Sequence, residues 1–486
     1  MQLYELVEDA ENKGLSEKEL KIEIENITAD LSQVREGSLF VAVKGHHHNG
    51  HDFIPQAVKM GAKAVICQEK PCEISENCVY IAVENSRKAL AYAAKEFYGR
   101  ACEKLCIIGI TGTNGKTTTA HMIAHILTES GVKCGVIGTV GTVFQDSFLP
   151  SSHTTPDPVT LHQIFSKMAE SGITHVVMEV SSHALAQDRV YGVNFKVGVF
   201  TNLSVDHLDY HGDMQNYAKS KLKLFEQAEI CIANKDSDFS EPFVNFKSGE
   251  NGVLTFSAHA DSDYKAENIS VTSNGNGFNI VKSNSFTPIK IKQKISGFFN
   301  VYNALAAFAA VDSLGLDSSE ISAGLAGFSS VKGRMETVET GRDFSVIIDF
   351  AHTPDGLGNL LSSVRSFCKG EVLVVFGCGG DRDKSKRPMM GRIAEALADK
   401  IFLTSDNPRN ENPQEIIDDI LRGMKNSSKT RVFVDRREAI CKALETAKKN
   451  DVVVLAGKGH ETYQIINGEK KHFDEREEIE NFLKNR

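Results

Sequence analysis

What this 486-residue chain lacks already removes several classes of function. It has no long lysine and arginine block of the kind that tracks a phosphate backbone, and its formal net charge is −9, so nucleic acid is not an expected partner. No apolar run approaches the roughly 18–20 residues that a membrane helix needs. No N-terminal succession of basic, apolar and small residues marks an export signal either. A cytoplasmic protein without membrane insertion is expected. There is no CxxC pair and no histidine spacing typical of zinc, so the ten cysteines, among them Cys67, Cys106, Cys231 and Cys378 in strand-like runs, read as reduced core thiols. The run His46, His47 and His48 follows Lys44-Gly45 in a loop, where solvated polar residues are the default.

What is present is conventional and enzyme-like. A hydrophobic fraction of 41% and a charged fraction of 24% suit a soluble globular protein, and the length calls for about three domains. Apolar runs bounded by Gly, Asn or Asp alternate with stretches of helical spacing, the pattern of α/β units around mostly parallel sheets. A small N-terminal α/β domain is expected over residues 1–101, with strands at Ser38–Lys44, Ala62–Gln68 and Cys78–Glu84 and a helix at Ser86–Phe97. A central nucleotide-binding domain is expected over 102–330, with strands at Leu105–Thr111, Lys133–Val140, His175–Ser181, Val197–Leu203 and Glu229–Asn234. Between about Asn268 and Ile295 the pattern turns to alternation around Asn274-Gly275-Asn276-Gly277, which predicts an added antiparallel region, and helical spacing returns over Val301–Leu314. A Rossmann-like C-terminal domain is expected over 331–486. Its strands fall at Ser345–Phe350, Val372–Phe376, Lys400–Thr404, Arg431–Val434 and Asp451–Ala456, and a helix is capped at Asn412.

After the strand ending at Thr111 stands Gly112-Thr113-Asn114-Gly115-Lys116-Thr117-Thr118, followed by a helix with Met122, Ile123, Ile126 and Leu127 on one face. A strand, a glycine turn and a helix start aim backbone N–H groups and the positive helix end at phosphates. Lys116 would neutralise the outer phosphate oxygens and Thr117 would ligate Mg²⁺. Ile110 stands where the strict loop pattern has its first glycine. A GTP switch would carry Asn-Lys-x-Asp, and Asn234-Lys235-Asp236-Ser237 lacks the final Asp. Glu179, in Met178-Glu179-Val180-Ser181, lies where open α/β sheets bind ligands, and Asp206 and His207 follow the next strand. Each alone reads equally as a capping or surface cluster; beside a phosphate loop they favour a metal–nucleotide site. Lys219, Lys221 and Lys223 read by spacing as a solvated basic face.

The strings GITGTNGKTT from Gly109, TTPDP from Thr154, MEVSSHAL from Met178, TNLSVDHLDYHG from Thr201, GRME from Gly333, DFAHTPD from Asp349, GCGGDRDKSKRP from Gly377, DNPR from Asp406 and GKGHE from Gly457 occur in one order. In these the chain resembles the Mur ligases over essentially its whole length. The resemblance implies a UDP-sugar-binding N-terminal domain, a central ATPase domain and a C-terminal amino-acid-binding domain. It implies an ADP-forming ligase, expected as a monomer, with ATP and Mg²⁺ as cofactors. The implied substrates are UDP-N-acetylmuramoyl-L-alanyl-D-glutamate (UDP-MurNAc-dipeptide) and meso-diaminopimelate. The D-glutamate carboxylate would be activated as an acyl phosphate, then attacked by the amine.

Residue by residue, the resemblance makes Lys221 a carbamate that positions metal with Thr117, Glu179 and His207. It puts Asn300, Arg334, Asp349 and His352 on ATP with the phosphate loop. Thr154, Thr155, Ser181, Gln187 and Arg189 would hold the nucleotide-sugar peptide. Arg382, Asp406, Asn407, Pro408, Arg409, Gly457 and Glu461 would hold the amino acid. Arg409 offers a planar fork to the second carboxylate that diaminopimelate has and lysine lacks. The bland alternative for Arg409 is a loop arginine paired with Glu411. Where the family shows Asp-Ser-Arg at the uridine end, this chain has Asp30-Leu31-Ser32, and Ser32 would take the serine's place after a one-residue shift.

Overall fold

The computed structural model describes residues 1–8, 14–45, 48–151, 153–246, 252–285 and 287–484, so His46 and His47 lie outside the described residues. Two compact units emerge, each built from separate stretches. One comprises Met1–Thr111, Val132–Gly198 and Ser220–Ile230; the other comprises Gly112–Gly131, Val199–Lys219 and Cys231–Arg486.

The first unit opens with a parallel sheet of β1 (Asn26–Thr28), β2 (Ser38–Val41), β3 (Ala62–Cys67) and β4 (Val79–Ala82), adjacent in that order. Its side chains alternate between two cores. Leu39, Val41, Ala64 and Ile66 meet Ala89, Leu90 and Ala93 of the helix Ser86–Phe97, while Phe40, Val65 and Cys67 meet Ile54 and Ala57. Cover on both faces is what near-continuous apolar strands require. Asn85 starts the helix by accepting from the backbone N–H groups of Arg87 and Lys88.

The same unit carries β5 (Cys106–Thr111), β6 (Cys134–Gly138), β7 (Gly141–Phe144), β8 (Ser147–Leu149), β9 (His175–Glu179) and β10 (Phe195–Phe200), in spatial order β10-β5-β9-β6-β7-β8. β5, β9 and β6 are parallel, whereas β6, β7 and β8 form an antiparallel meander that the apolar pattern did not reveal. Strand order reverses at β5, which places the loop after it at the ligand-binding end of the sheet.

In the second unit β11 (Ala228–Asn234), β12 (Leu254–Ser257), β13 (Tyr264–Thr272), β14 (Gly275–Lys282) and β15 (Ile289–Gln293) are neighbours in that order. β11 to β13 run parallel and β13 to β15 antiparallel, as the alternation predicts. The hairpin turns at Ser273-Asn274, and Asn276 and Gly277 already belong to β14. The helix Phe298–Asp312 begins earlier than its apolar spacing predicts, because Gly297 at φ 102° swings the chain into it. This helix packs on Lys116–Glu129.

The last sheet comprises β16 (Glu336–Val338), β17 (Ser345–Asp349), β18 (Val372–Phe376), β19 (Lys400–Thr404), β20 (Thr430–Phe433) and β21 (Val452–Ala456), in order β16-β17-β21-β18-β19-β20. It is parallel except for β16, which pairs antiparallel with β17. Val346, Ile348, Leu373, Val375, Val453 and Leu455 turn one face toward Ala439, Ile440 and Ala443. Asn412 caps the helix Pro413–Leu421 through the N–H of Gln414, with Pro413 in the first turn as predicted. A hairpin of β22 (Tyr463–Ile466) and β23 (Glu469–His472) closes on Asn467-Gly468, both at positive φ. All ten cysteines are free thiols, and Cys72 departs from the core reading by lying exposed. Among the described residues no helix is long and apolar enough to cross a membrane.

Candidate active site

The loop after β5 is built as a phosphate cradle. Gly112 sits at φ 149° and Gly115 at φ 86°. A Cβ at the first would overlap Thr201 Oγ1, and one at the second would overlap Asn303 Oδ1, so only glycine fits either place. Asn202 holds the loop's shape: its carbonyl accepts from Thr113 N at 2.8 Å and its Oδ1 from Asn114 N at 2.9 Å. Lys116 Nζ folds back on the carbonyls of Gly112 (2.9 Å) and Thr113 (3.0 Å), over the loop whose N–H groups would meet phosphate. Thr117 and Thr118 are buried in the first helical turn. Asn300 stands one step behind. It donates to Ser296 O at 2.7 Å and accepts from Asn303 at 2.9 Å, and Asn303 Oδ1 accepts from Thr119 at 3.3 Å. Asn202 and Asn303 were missed by sequence reasoning; an Asn directly after a strand end was the available signal for Asn202.

Arg334, Asp349 and His352 gather around Phe350. Arg334 lies over the Phe350 ring at 4.4 Å and donates to Thr117 Oγ1 at 3.1 Å. Asp349 accepts from Met335 N and Ala351 N at 2.7 and 2.8 Å, and burial pushes its carboxyl above the usual range. Burial, with help from Lys386, pushes His352 down to about 4, so its imidazole is neutral at pH 7. Asn114 Nδ2 donates to Asp355 at 2.7 Å, a second tie to the phosphate loop. His207 adopts a left-handed backbone at φ 53°, and its ring lies 3.3 Å from buried Asp206. Burial pulls the Asp206 carboxyl up, but the charges of His207, His352 and Lys386 hold it below its ordinary value.

In the first unit, Glu179 ends β9 and accepts from Thr139 N (2.8 Å) and Thr139 Oγ1 (3.1 Å). A side chain at Gly138 would collide with it. Thr139 Oγ1 is 3.0 Å from Thr154 Oγ1, and Thr155 Oγ1 donates to Glu179 O at 2.9 Å and accepts from Ser181 N at 3.0 Å. Arg189 donates to Thr155 O at 2.9 Å and to Gln187 Oε1 at 2.8 Å. The structure thus brings Thr154, Thr155, Ser181, Gln187 and Arg189 together around Glu179. Lys221 overturns the solvated-face reading: it is 1% exposed, whereas Lys219 is exposed and Lys223 reaches Leu185 O at 3.2 Å. Ser32 is exposed and donates to Asp30 Oδ1 at 2.8 Å, at the start of a single 3₁₀ turn.

The remaining residues gather in a polar cluster in the loops that follow the strands of the C-terminal sheet. Arg409 does not pair with Glu411. Glu411 is taken by Arg387 at 2.9 and 3.0 Å and by Lys384 at 3.0 Å, and the Arg387 bonds foremost push its pKa down to about 2. Arg409 makes no ion pair among the described residues; its Nη1 donates to Gly380 O at 2.7 Å. Its backbone, at φ 52°, is clamped by Ile465 O (3.0 Å) and Asn467 N (2.7 Å) of the terminal hairpin. Arg382 is exposed at the rim with no ion pair among the described residues, and Pro408 is buried with its carbonyl against Gly380. Asp406, Asn407 and Glu461 converge on Lys458, and any side chain at Gly457 would press on Asp406. Burial raises Asp406, but Lys458 foremost among nearby cations brings it below the ordinary range. Lys458 and the hairpin also escaped the sequence.

A phosphate loop on one sheet and a polar cluster at the strand ends of another suit an ATP-dependent enzyme with a second substrate, and the family matches make it an ATP-dependent ligase. Residues 23–98 match the Mur ligase family catalytic domain, 110–311 the Mur ligase middle domain and 333–459 the Mur ligase glutamate ligase domain. UDP-N-acetylmuramoyl-L-alanyl-D-glutamate–2,6-diaminopimelate ligase 1 of Clostridium acetobutylicum is 45% identical over 96% of each chain. The ligase of that name from Clostridium tetani is 43% identical over 99% of each. A solved structure of a UDP-N-acetylmuramoyl-L-alanyl-D-glutamate–2,6-diaminopimelate ligase has a TM-score of 0.72 and 31% identity, covering 100% of this chain and 99% of that one. The chain belongs to the Mur ligase family and has its three-domain α/β fold.

Proposed function

We propose that this chain joins meso-diaminopimelate to UDP-N-acetylmuramoyl-L-alanyl-D-glutamate in peptidoglycan synthesis, converting ATP to ADP and phosphate. The observation that carries the choice of amino acid is Arg409, an arginine without a carboxylate partner among the described residues, set beside the carboxylates of Asp406 and Glu461. An amino acid with a second carboxylate and a second ammonium fits that set. The names of the relatives point the same way.

A carboxylate does not react with an amine, so an oxygen of the D-glutamate side chain first attacks the γ-phosphorus and ADP leaves. The free amine then attacks the acyl carbon, loses a proton and expels phosphate. Both steps concentrate negative charge, so cations and aimed N–H groups carry the rate. Lys116 leaves the carbonyls of Gly112 and Thr113 for the phosphate oxygens, and the loop N–H groups cradle them. Arg334 adds a second cation at Thr117. Neutral His352 and buried Asp349 shape the nucleotide side. Thr154, Thr155, Ser181, Gln187 and Arg189 hold the peptide end of the UDP-sugar, and Ser32 contacts its uridine end.

For magnesium the reading takes the residues the family resemblance implies, whose donor chemistry suits a hard cation: Thr117 brings a hydroxyl and His207 an imidazole, Glu179 a buried carboxylate and Lys221 a buried lysine. Magnesium bound there would neutralise the phosphate oxygens. Carbamylation would turn Lys221 from a cation into an anion able to hold it. The work divides among residues 1–101 for the UDP-sugar, 102–330 for ATP and 331–486 for the amino acid, in a cytosolic monomer. Purified protein incubated with ATP, Mg²⁺ and the UDP-dipeptide, with meso-diaminopimelate or L-lysine in parallel, should yield the tripeptide by mass with diaminopimelate. No tripeptide with either amino acid would sink the reading.

A further inference from the structure

Lys458 is 0% exposed, and its ammonium has three hydrogen-bond acceptors: Asp406 Oδ1 at 3.4 Å, Asn407 Oδ1 at 3.2 Å and Glu461 Oε2 at 3.0 Å. Three N–H donors meet three acceptors, so the buried cation is fully engaged. Its ammonium also lies 5.7 Å from the centre of the Tyr463 ring, and, wholly buried, it would not touch a ligand itself. Each acidic partner is divided by it. Asp406 gives Oδ1 to Lys458, and its Oδ2 has no hydrogen-bond partner among the described residues. Glu461 gives Oε2 to Lys458 and to Asn407 Nδ2 at 2.9 Å, and its Oε1 likewise has none. Gly457 packs against Asp406 Oδ2, which keeps that oxygen clear of side chains.

We infer that Lys458 is a positioning residue for amino-acid selection, holding Asp406 and Glu461 so that each presents one oxygen to the distal, non-reacting ammonium of the diamino acid. This rests on the reading of the pocket as the diaminopimelate site. Without an internal cation, two carboxylates this close would repel, turn apart or take up a proton, and the ammonium would lose its paired acceptors. Recognition of the distal end is thereby split: Arg409 reads the carboxylate, and the Lys458-ordered pair reads the ammonium. Gln464 Nε2 on Asp406 O at 2.8 Å and Ile465 N on Asn407 Oδ1 at 3.0 Å brace the same loop from β22.

The test compares wild type with Lys458→Met and Lys458→Gln on three amino acids: meso-diaminopimelate, 2-aminopimelate, which keeps the distal carboxylate but lacks the ammonium, and L-lysine, which keeps the ammonium but lacks the carboxylate. ATP–ADP isotope exchange with the UDP-dipeptide alone reads the first half-reaction. Wild type should prefer diaminopimelate over 2-aminopimelate by about 30-fold or more in kcat/KM, the size of one or two charge-assisted bonds. In both variants that preference should fall to within about threefold of unity, through a raised KM for diaminopimelate, while exchange persists and the preference over L-lysine survives. These preferences are ratios within one preparation, so an unfolded fraction does not alter them. Preference over 2-aminopimelate unchanged in the variants would overturn the inference. So would loss of exchange together with amide formation in both variants, which would make Lys458 a folding residue only. Failure of wild type to form any tripeptide would instead sink the pocket's assignment.

Discussion

Replacing Arg409 with alanine isolates the carboxylate half of this recognition. The guanidinium has Nη1 tied to Gly380 O at 2.7 Å, which leaves Nε and Nη2 as a fork for an incoming carboxylate. Two charge-assisted hydrogen bonds at about 1.5–3 kcal/mol each give roughly 3–6 kcal/mol. Water entering the emptied space recovers part of that, so about 3–4 kcal/mol should be lost, or roughly 10²–10³-fold in kcat/KM for meso-diaminopimelate. L-Lysine has no second carboxylate to lose, and its much lower rate should change by no more than about threefold. Arg409→Lys keeps the charge without the fork and should recover about tenfold of the loss. Steady-state kinetics on both amino acids, with the KM for ATP measured alongside, decide the matter. Equal losses on diaminopimelate and lysine, or a parallel rise in the KM for ATP, would refute the argument.

Gly112→Ala should abolish ATP binding measured by calorimetry, because φ 149° is a glycine conformation and the new Cβ overlaps Thr201 Oγ1; a strain of at least roughly 2 kcal/mol is expected. Wild-type affinity in that variant would show that the loop is not held as described. His162 is buried with neither ring nitrogen hydrogen-bonded among the described residues, and burial foremost pushes it down to about 4. The unfolded chain takes up this proton below about pH 6.5 and the folded one only below about 4, so stability should fall as pH drops between them, by about 3 kcal/mol in all. His162→Phe should remove that part of the slope in urea denaturation across pH 4–7, and an unchanged slope would exclude His162 as its source.

The sheets were legible where burial on both faces demands unbroken Val and Ile runs: Val372–Phe376 and Lys400–Thr404 are strands end to end, and the helix Ser86–Phe97 matches its predicted span. The pieces that escaped are short or polar. β23 is Glu-Lys-Lys-His, exposed throughout, and β22 and β16 carry no alternation to read. In the site, the phosphate loop was legible because glycine at positive φ leaves a mark in the sequence. Charge pairing leaves none. Glu411, two residues from Arg409, is claimed by Arg387 from 24 residues away, and Lys458 draws its Asp406 partner from 52 residues away. Lys221 shares a helical stretch with Lys219, and only tertiary packing decides which of them is buried.

Backbone strain points to the same places without reference to charge. Among the described residues ten non-glycine residues have positive φ, and His207 and Arg409 are themselves candidate ligands. Three more are neighbours of candidates in sequence: Asp188 lies between Gln187 and Arg189, Met335 follows Arg334, and Asp381 precedes Arg382. A left-handed residue turns the chain back on itself, so the side chains that flank it can meet. Gln187 Oε1 and Arg189 Nη2 do so at 2.8 Å, and Asp188, at the turn, accepts from Lys223 at 3.5 Å and from Asn85 at 3.3 Å. Such conformations cost about 1–3 kcal/mol each and persist only where the surroundings over-determine them. At Arg409 the clamp is the backbone of β22, which gives the terminal hairpin, whose outer strand β23 is polar and exposed, a physical reason to exist: it holds the guanidinium's stem in a conformation the loop alone would not keep.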